Sequence, residues 1–346
     1  MKKRVLFVVL ASIVIGLPFS ADVAKGNPAQ KHEKVTIEIY SNPMGNAGYV
    51  LSFALTELIN KNSEWLRATC LETVNSAENY RILAKNPGKS KVWIGFGGPC
   101  SVRQAEIGAP PFEKPILGMK AIALMTLNPI FLLTADHAIK TPEDLRGKRV
   151  VLFDVGFWLE DAMRGILDAG WNVYKDIKAV HISGFGRPAD ALINGTVDVV
   201  WMPGAAYGAG EPKEWQPIPA SEKVMNARRC YPVPLTETAI TAARKASGYP
   251  IYPVRLKAKK VGKTDLPEII GFGVHNSWWC HEDMDEEVAA EMSRIIYEYA
   301  EDFQKYHAAG KALSKETVYK IPIPRDKFHR GAIKFYESKG LKPGLQ

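Results

Sequence analysis

The sequence predicts an α/β fold of two parallel-sheet lobes with a ligand cleft between them. Three observations predict it. Short apolar runs of strand length alternate with amphipathic stretches of helix length. Turns rich in Gly and Asn follow successive strands, and a long apolar run in mid-chain is followed by a second round of the same rhythm. The 346 residues, 46% of them apolar, supply enough side chains for two packed cores. The formal charge of +8 is spread over basic residues interleaved with acids, as in Glu57, Lys61, Glu64 and Arg67. A mixed-sign surface of that kind argues against nucleic acid as a partner.

The first element is an address. Met1-Lys2-Lys3-Arg4 is positive, Val5 to Phe19 is apolar and broken by Gly16 and Pro18, and the small residues Ser20, Ala21 and Ala24 follow. That order predicts a cleaved signal peptide over residues 1–24 and export to the periplasm. The run is short for a bilayer span, no later stretch is apolar for long enough to span, and no Cys follows it to carry a lipid.

The first lobe opens with a strand from Val35 to Tyr40 and a helix from Tyr49 to Asn60, with Leu51, Leu55, Leu58 and Ile59 on one face. Arg67 to Thr73 reads as a strand, Asn75-Ser76-Ala77-Glu78 as a capping box opening a helix through Leu83, and Lys91 to Phe96 as a strand closed by Gly97-Gly98-Pro99. The apolar run from Ile116 to Thr134, with Asn128-Pro129 inside it, is long enough to cross between lobes. Beyond it, Thr141-Pro142-Glu143-Asp144 caps a short helix stopped by Gly147. Lys148 to Asp154, Ile177 to Ile182 and Val197 to Met202 read as strands, and Leu159 to Ala169 and Arg187 to Asn194 as the helices between them. Periodicity assigns no element from Pro203 to Pro267. Ile269 to Val274 is a returning strand, and Asp283-Met284-Asp285-Glu286 caps a long helix with a stripe of Val288, Met292, Ile295, Ile296, Tyr299 and Phe303. The lobes are therefore expected over 34–128 plus 251–346, and over 129–250.

Cys70, Cys100, Cys230 and Cys280 suit an oxidising compartment and allow three pairings, of which Cys70–Cys100 and Cys230–Cys280 keep each bond within one half of the chain. The alternative is four small buried thiols. No two have chelating spacing, and no metal or cofactor is expected.

Ligands of open parallel sheets bind beyond the carboxyl ends of strands. Five loops stand there: Asn42 to Tyr49, Thr73 to Ser76, Gly97 to Cys100, Asp154 to Trp158 and Pro203 to Tyr207. Each alone reads equally well as ordinary turn and capping residues. Their recurrence, with the exposed-looking aromatics Tyr49, Phe157, Trp158 and Tyr207 at the tips, favours pocket walls. The candidate ligand contacts are Asn46, Gly48, Tyr49, Asn75, Ser76, Gly98, Gly156, Phe157, Trp158, Arg187 and Tyr207, with Arg187 as a partner for a carboxylate. Gly184-Phe185-Gly186-Arg187-Pro188-Ala189 matches a dinucleotide fingerprint formally, but it lies outside the first βα unit and lacks the acid at the next strand end. Cys280-His281-Glu282-Asp283 is better explained by helix capping than by a metal. No nucleophile elbow, metalloprotease helix or P-loop occurs, which argues against an enzyme.

Several segments together resemble the TAXI family of TRAP-transporter solute receptors, from about Val35 to Leu341. They are Gly45 to Asn62, Asn75 to Leu83, Ile139 to Val150, Leu192 to Asp198, Ile321-Pro322 and His329 to Tyr336. The resemblance implies a type II periplasmic binding protein fold and a monomeric subunit. Such a subunit closes by hinge motion on a small organic, carboxylate-bearing solute and delivers it to the transporter's membrane subunits. Two loops depart from the family pattern, Thr73-Val74-Asn75 and Gly156-Phe157-Trp158, where small hydroxyl and glycine positions are replaced. The change removes hydrogen-bonding capacity and adds apolar wall, which predicts a ligand with an apolar or aromatic portion. A periplasmic enzyme on a similar fold and a ligand-sensing receptor are the alternatives.

Overall fold

The computed structural model describes residues 32–44, 47–85, 91–95, 98–208 and 211–345. The expected signal peptide and Asn46 lie outside them. The chain begins with β1 (Val35–Tyr40), α1 (Ala47–Asn62), β2 (Leu66–Leu71), α2 (Ser76–Lys85), β3 (Lys91–Gly95) and α3 (Pro99–Glu106). The long strand β4 (Met119–Thr134) follows, then β5 (Arg149–Leu152), α4 (Trp158–Gly165), β6 (Lys178–His181), α5 (Gly186–Ile193) and β7 (Val199–Tyr207). Next come β8 (Glu214–Pro217), α6 (Pro219–Ala227), β9 (Tyr231–Val233), α7 (Glu237–Ser247) and β10 (Tyr252–Leu256). The hairpin strands β11 (Lys259–Val261) and β12 (Thr264–Leu266), the second long strand β13 (Ile269–His281), α8 (Glu286–Glu298) and α9 (Arg330–Ser338) complete the order.

The α/β class is as expected, and the sheet is mixed. Its main path runs β2-β1-β3-β13-β4-β7-β5-β6. β1 pairs in parallel with β2 and β3, and β5 with β6 and β7. The centre is antiparallel: β13 against β3 and β4, and β4 against β7. An all-parallel reading fails there for a physical reason. Parallel neighbours need a helical crossover between them, whereas β4 carries the chain outward and β13 brings it back. Their ladder runs from Phe272 opposite Ile130 to His281 opposite Met119, with register breaks at Asn276/Ser277 and Trp278/Trp279.

The two long strands feed several apolar clusters. Ile122 and Met125 of β4 and Trp278 of β13 pack with Ile37, Leu55, Ile295, Phe303 and Tyr336. Farther along, Ile130 and Leu132 of β4 and Phe272 of β13 pack with Val150, Trp158, Trp201 and Ile240. The alternate β4 residues Phe131 and Leu133 point into a third cluster with Val200, Met202 and Trp215, as the two-residue period of a strand requires. The helix stripe expected from Val288 onward joins the first cluster, but α8 is capped by Asp285, whose Oδ1 accepts from the N–H groups of Glu287 and Val288, and it stops at Glu298. Phe303 reaches the same core from a separate 3-10 turn at Ala300–Lys305.

Seven helices or strands with no periodic signal lie within the stretch from Pro203 to Pro267. Proline explains this: Pro219 opens α6, while Pro232 and Pro253 stand in the short strands β9 and β10. Pro99 likewise opens a helix, α3, where the sequence suggests only a turn. The phrase His329 to Tyr336 also has a structural role. His329 Nδ1 caps α9 by accepting from Gly331 N at 3.2 Å, and a Cβ on Gly331 would meet Glu286 O at 2.1 Å, so a side chain there would hold α9 off α8.

The expected disulfides do not form. All four thiols are free, and Cys100, Cys230 and Cys280 belong to three different apolar clusters while Cys70 stands half-exposed on β2. Burial raises the pKa of each one; Cys70 and Cys230 are pushed up to about 11. They are packing residues. Among the described residues no helix is long and apolar enough to cross a membrane.

Candidate functional site

A cavity of about 690 Å³ lies against the middle of β4 and β13. Its floor is polar. Asn276 donates from Nδ2 to Thr126 Oγ1 at 2.8 Å and to Asn128 Oδ1 at 2.9 Å, and Asn128 donates from Nδ2 to Gly204 O at 2.9 Å. Asn276 stands opposite Thr126 in the ladder, and Thr126 and Asn128, two residues apart, share one face of β4, so one amide serves both. The walls are apolar and aromatic, from Phe153, Trp158, Phe185, Tyr207 and Val274, while Ala47 and Gly48 at the start of α1 close one side.

Trp158, the first residue of α4, is fully buried. Its indole N–H has no hydrogen-bond partner among the described residues. An unpaired buried donor costs about 1–3 kcal/mol. Burial raises the pKa of Tyr207 and keeps its hydroxyl neutral. No Lys, Arg, Asp or Glu lines this cavity among the described residues. The arrangement can hold a small molecule by apolar contact and neutral hydrogen bonds.

A smaller cavity of about 390 Å³ shares Asn42 with the first. Asn75, Ser76, Tyr80, Gln104 and Phe157 line it. Gln104 of α3 donates from Nε2 to Gly156 O at 2.8 Å, which ties that helix to the loop after β5.

The sequence-derived candidates thus separate. Gly48, Trp158 and Tyr207 come together on the larger cavity, and Asn75, Ser76 and Phe157 on the smaller. Asn75 also caps α2 by accepting from Glu78 N at 3.0 Å. Trp158 is buried, which corrects its reading as an exposed tip; the ring of Phe157 covers it with centroids 5.7 Å apart. Tyr49, Gly98, Gly156 and Arg187 line neither cavity. Arg187 is exposed and its guanidinium makes no ion pair among the described residues. A Cβ added at Gly98 would run into His275 O, and Gly156 gives its carbonyl to Gln104. Sequence reasoning missed Thr126, Asn128 and Asn276, although three polar residues inside otherwise apolar strands are a signal that could have marked them.

A family model described as the NMT1-like family matches residues 39–340. The chain belongs to the NMT1-like family. The match does not specify the TAXI family that the sequence resembles. No curated protein matches this NMT1-like chain. Among solved structures it is similar to the TctC solute-binding protein from Polaromonas, at 12% identity over 84% of this chain and 90% of that one, with a TM-score of 0.49. MatC from Rhodopseudomonas palustris, solved with bound malate, is similar at 14% identity over 81% and 90%, TM-score 0.46. The periplasmic aliphatic sulphonate-binding protein SsuA from Escherichia coli is similar at 13% identity over 91% and 95%, TM-score 0.46.

Proposed function

We propose that this chain is an extracytoplasmic solute-binding subunit of a TAXI-type TRAP transporter. In this reading two lobes, 34–128 plus 251–346 and 129–250, close by hinge motion around a small organic solute and deliver it unchanged to membrane subunits. The observation that carries the reading is the larger cavity: aromatic walls, a satisfied amide floor and one unsatisfied buried donor, Trp158 Nε1. Ligand pockets combine these features, with few placed polar groups in an apolar concavity. The bond from Gln104 to Gly156 O crosses the proposed lobes and belongs to the closed arrangement.

The solute carries an apolar portion that packs on Phe153, Trp158 and Phe185. With no cationic side chain on the described wall, its carboxylate is proposed to lie at the N-terminal ends of α1 and α4, whose first residues Ala47 and Trp158 line the cavity. Native mass spectrometry of protein purified without denaturation tests the proposal. A retained carboxylate of a few hundred daltons, released on unfolding and chemically intact, is expected. A retained molecule converted to product, or solute affinity unchanged by Trp158→Phe, contradicts it.

A further inference from the structure

A third cavity, of about 540 Å³, has the opposite electrostatic character from the proposed solute site. Lys213, Lys320 and Lys342 line it, with Glu211 as the only acid among the described lining residues. The two cavities share a wall made by Leu127, Ala206 and Ala312, and Leu127 and Ala206 are cross-strand partners on β4 and β7.

Lys213 is the unusual member. Its backbone is held by a hydrogen bond from its N–H to Arg255 O at 2.8 Å and by a bridge to Leu256, which fixes where the side chain starts. The side chain is only 14% exposed, and its closest acid, the half-exposed Glu211, stands at 3.9 Å. Nζ makes no hydrogen bond to a described residue, so a largely buried ammonium keeps its donors unspent. Burial, with repulsion from Lys320 set against attraction from Glu211, lowers its pKa. Buried charges are ordinarily closely paired and hydrogen-bonded, and a partly buried ammonium whose one ion pair is the long contact to Glu211 favours a partner that arrives from outside. The rest of the cavity supplies a body for that partner: Tyr252, Val254, Tyr319 and Ile321 make an apolar and aromatic surface beside the lysines.

We propose that this cavity is a second binding site, for an organic anion that sets a carboxylate or phosphate oxygen on Lys213 and an apolar or aromatic body against Tyr252 and Tyr319. Lys320 and Lys342, both exposed, stand at the mouth and draw the anion in. The site is independent of the solute reading, because none of the three lysines lines the neutral cavity.

Isothermal titration of the purified protein with benzoate, phenyl phosphate and the uncharged benzyl alcohol tests it. Both anions are expected to bind, benzyl alcohol is not, and K213M is expected to weaken the anions roughly tenfold or more. The better of the two anions tells which oxyanion the site is built for. Should the melting curve show K213M unfolded, K320Q carries the test, since that exposed position leaves the core untouched; a several-fold loss of anion affinity is expected. Absence of anion binding, equal binding of benzyl alcohol, or unchanged affinity in a folded K213M overturns the proposal. So does an affinity that falls in W158F and not in K213M, because that places the anion in the neutral cavity.

Discussion

Asn276 on β13 and Asn128 on β4 share a hydrogen bond of 2.9 Å across strands 148 residues apart in sequence. The same Asn128 reaches on to Gly204 O of β7, so one side chain links three strands beneath the cavity. Truncation to Ala leaves the Gly204 carbonyl without that donor and removes one of the two acceptors of Asn276 Nδ2. Buried groups left unpaired cost about 1–3 kcal/mol each. Asn128→Ala is therefore expected to lower the unfolding free energy by about 1–3 kcal/mol in a urea titration. If the midpoint and slope match those of the unsubstituted chain, the network has no structural weight.

Trp158 separates wall from donor. Trp158→Phe keeps an aromatic ring in the cluster and removes the unpartnered N–H, so it should leave stability close to unchanged while weakening solute binding. Trp158→Ala empties a fully buried site and is expected to cost about 3–5 kcal/mol. Thermal melts and solute titrations on the pair distinguish the two roles; equal affinity in Trp158→Phe removes the indole donor from the account.

His275, buried beside the lysine-lined cavity, sets a pH dependence. Burial, reinforced by the positive charge of Lys213, lowers its pKa to about 4, against roughly 6.5 in an unfolded chain. Between those values the unfolded chain binds a proton that the folded one refuses, so acid favours unfolding. The contribution is complete above about pH 6.5 and is lost as pH falls toward 4. His275→Gln is expected to flatten the stability curve through that window relative to the unsubstituted protein. Parallel curves for the two proteins place the titration elsewhere.

What was legible in the sequence was whatever rests on local pattern. The stripe of α1, the box at Thr141 to Asp144 and the strands β5 to β7 follow from periodicity and capping, and the structure places them within a few residues. What was illegible depends on partners distant in the chain. The antiparallel pairing of β4 with β13 joins residues about 150 apart, and an apolar run reads the same whichever way its neighbour points. The same limit hid the cavity floor. Thr126 and Asn276 meet only because the ladder sets them opposite each other. Gly98 shows the converse error, since a glycine in a loop after a strand reads as ligand contact while its neighbour is the backbone of β13.

Gly98 carries the last prediction. It has φ of +47°, in the left-handed region that a side chain disfavours, and an added Cβ would stand 1.6 Å from His275 O. No rotamer relieves that overlap, because the obstacle is backbone. Nor can the backbone withdraw freely: His275 is held in the β13 ladder opposite Leu127, and Gly98 is fixed as the residue before Pro99 at the start of α3. Substitution must therefore push α3 off the sheet and open the cluster that holds Cys100 or Val102. Strain of this kind plus lost packing is expected to cost about 3 kcal/mol or more for Gly98→Ala. Urea unfolding of the variant measures it, and solute titration at a temperature where the variant is folded shows which role the glycine has. A large loss of stability with affinity retained makes it a packing residue, whereas affinity lost at full stability returns it to the ligand.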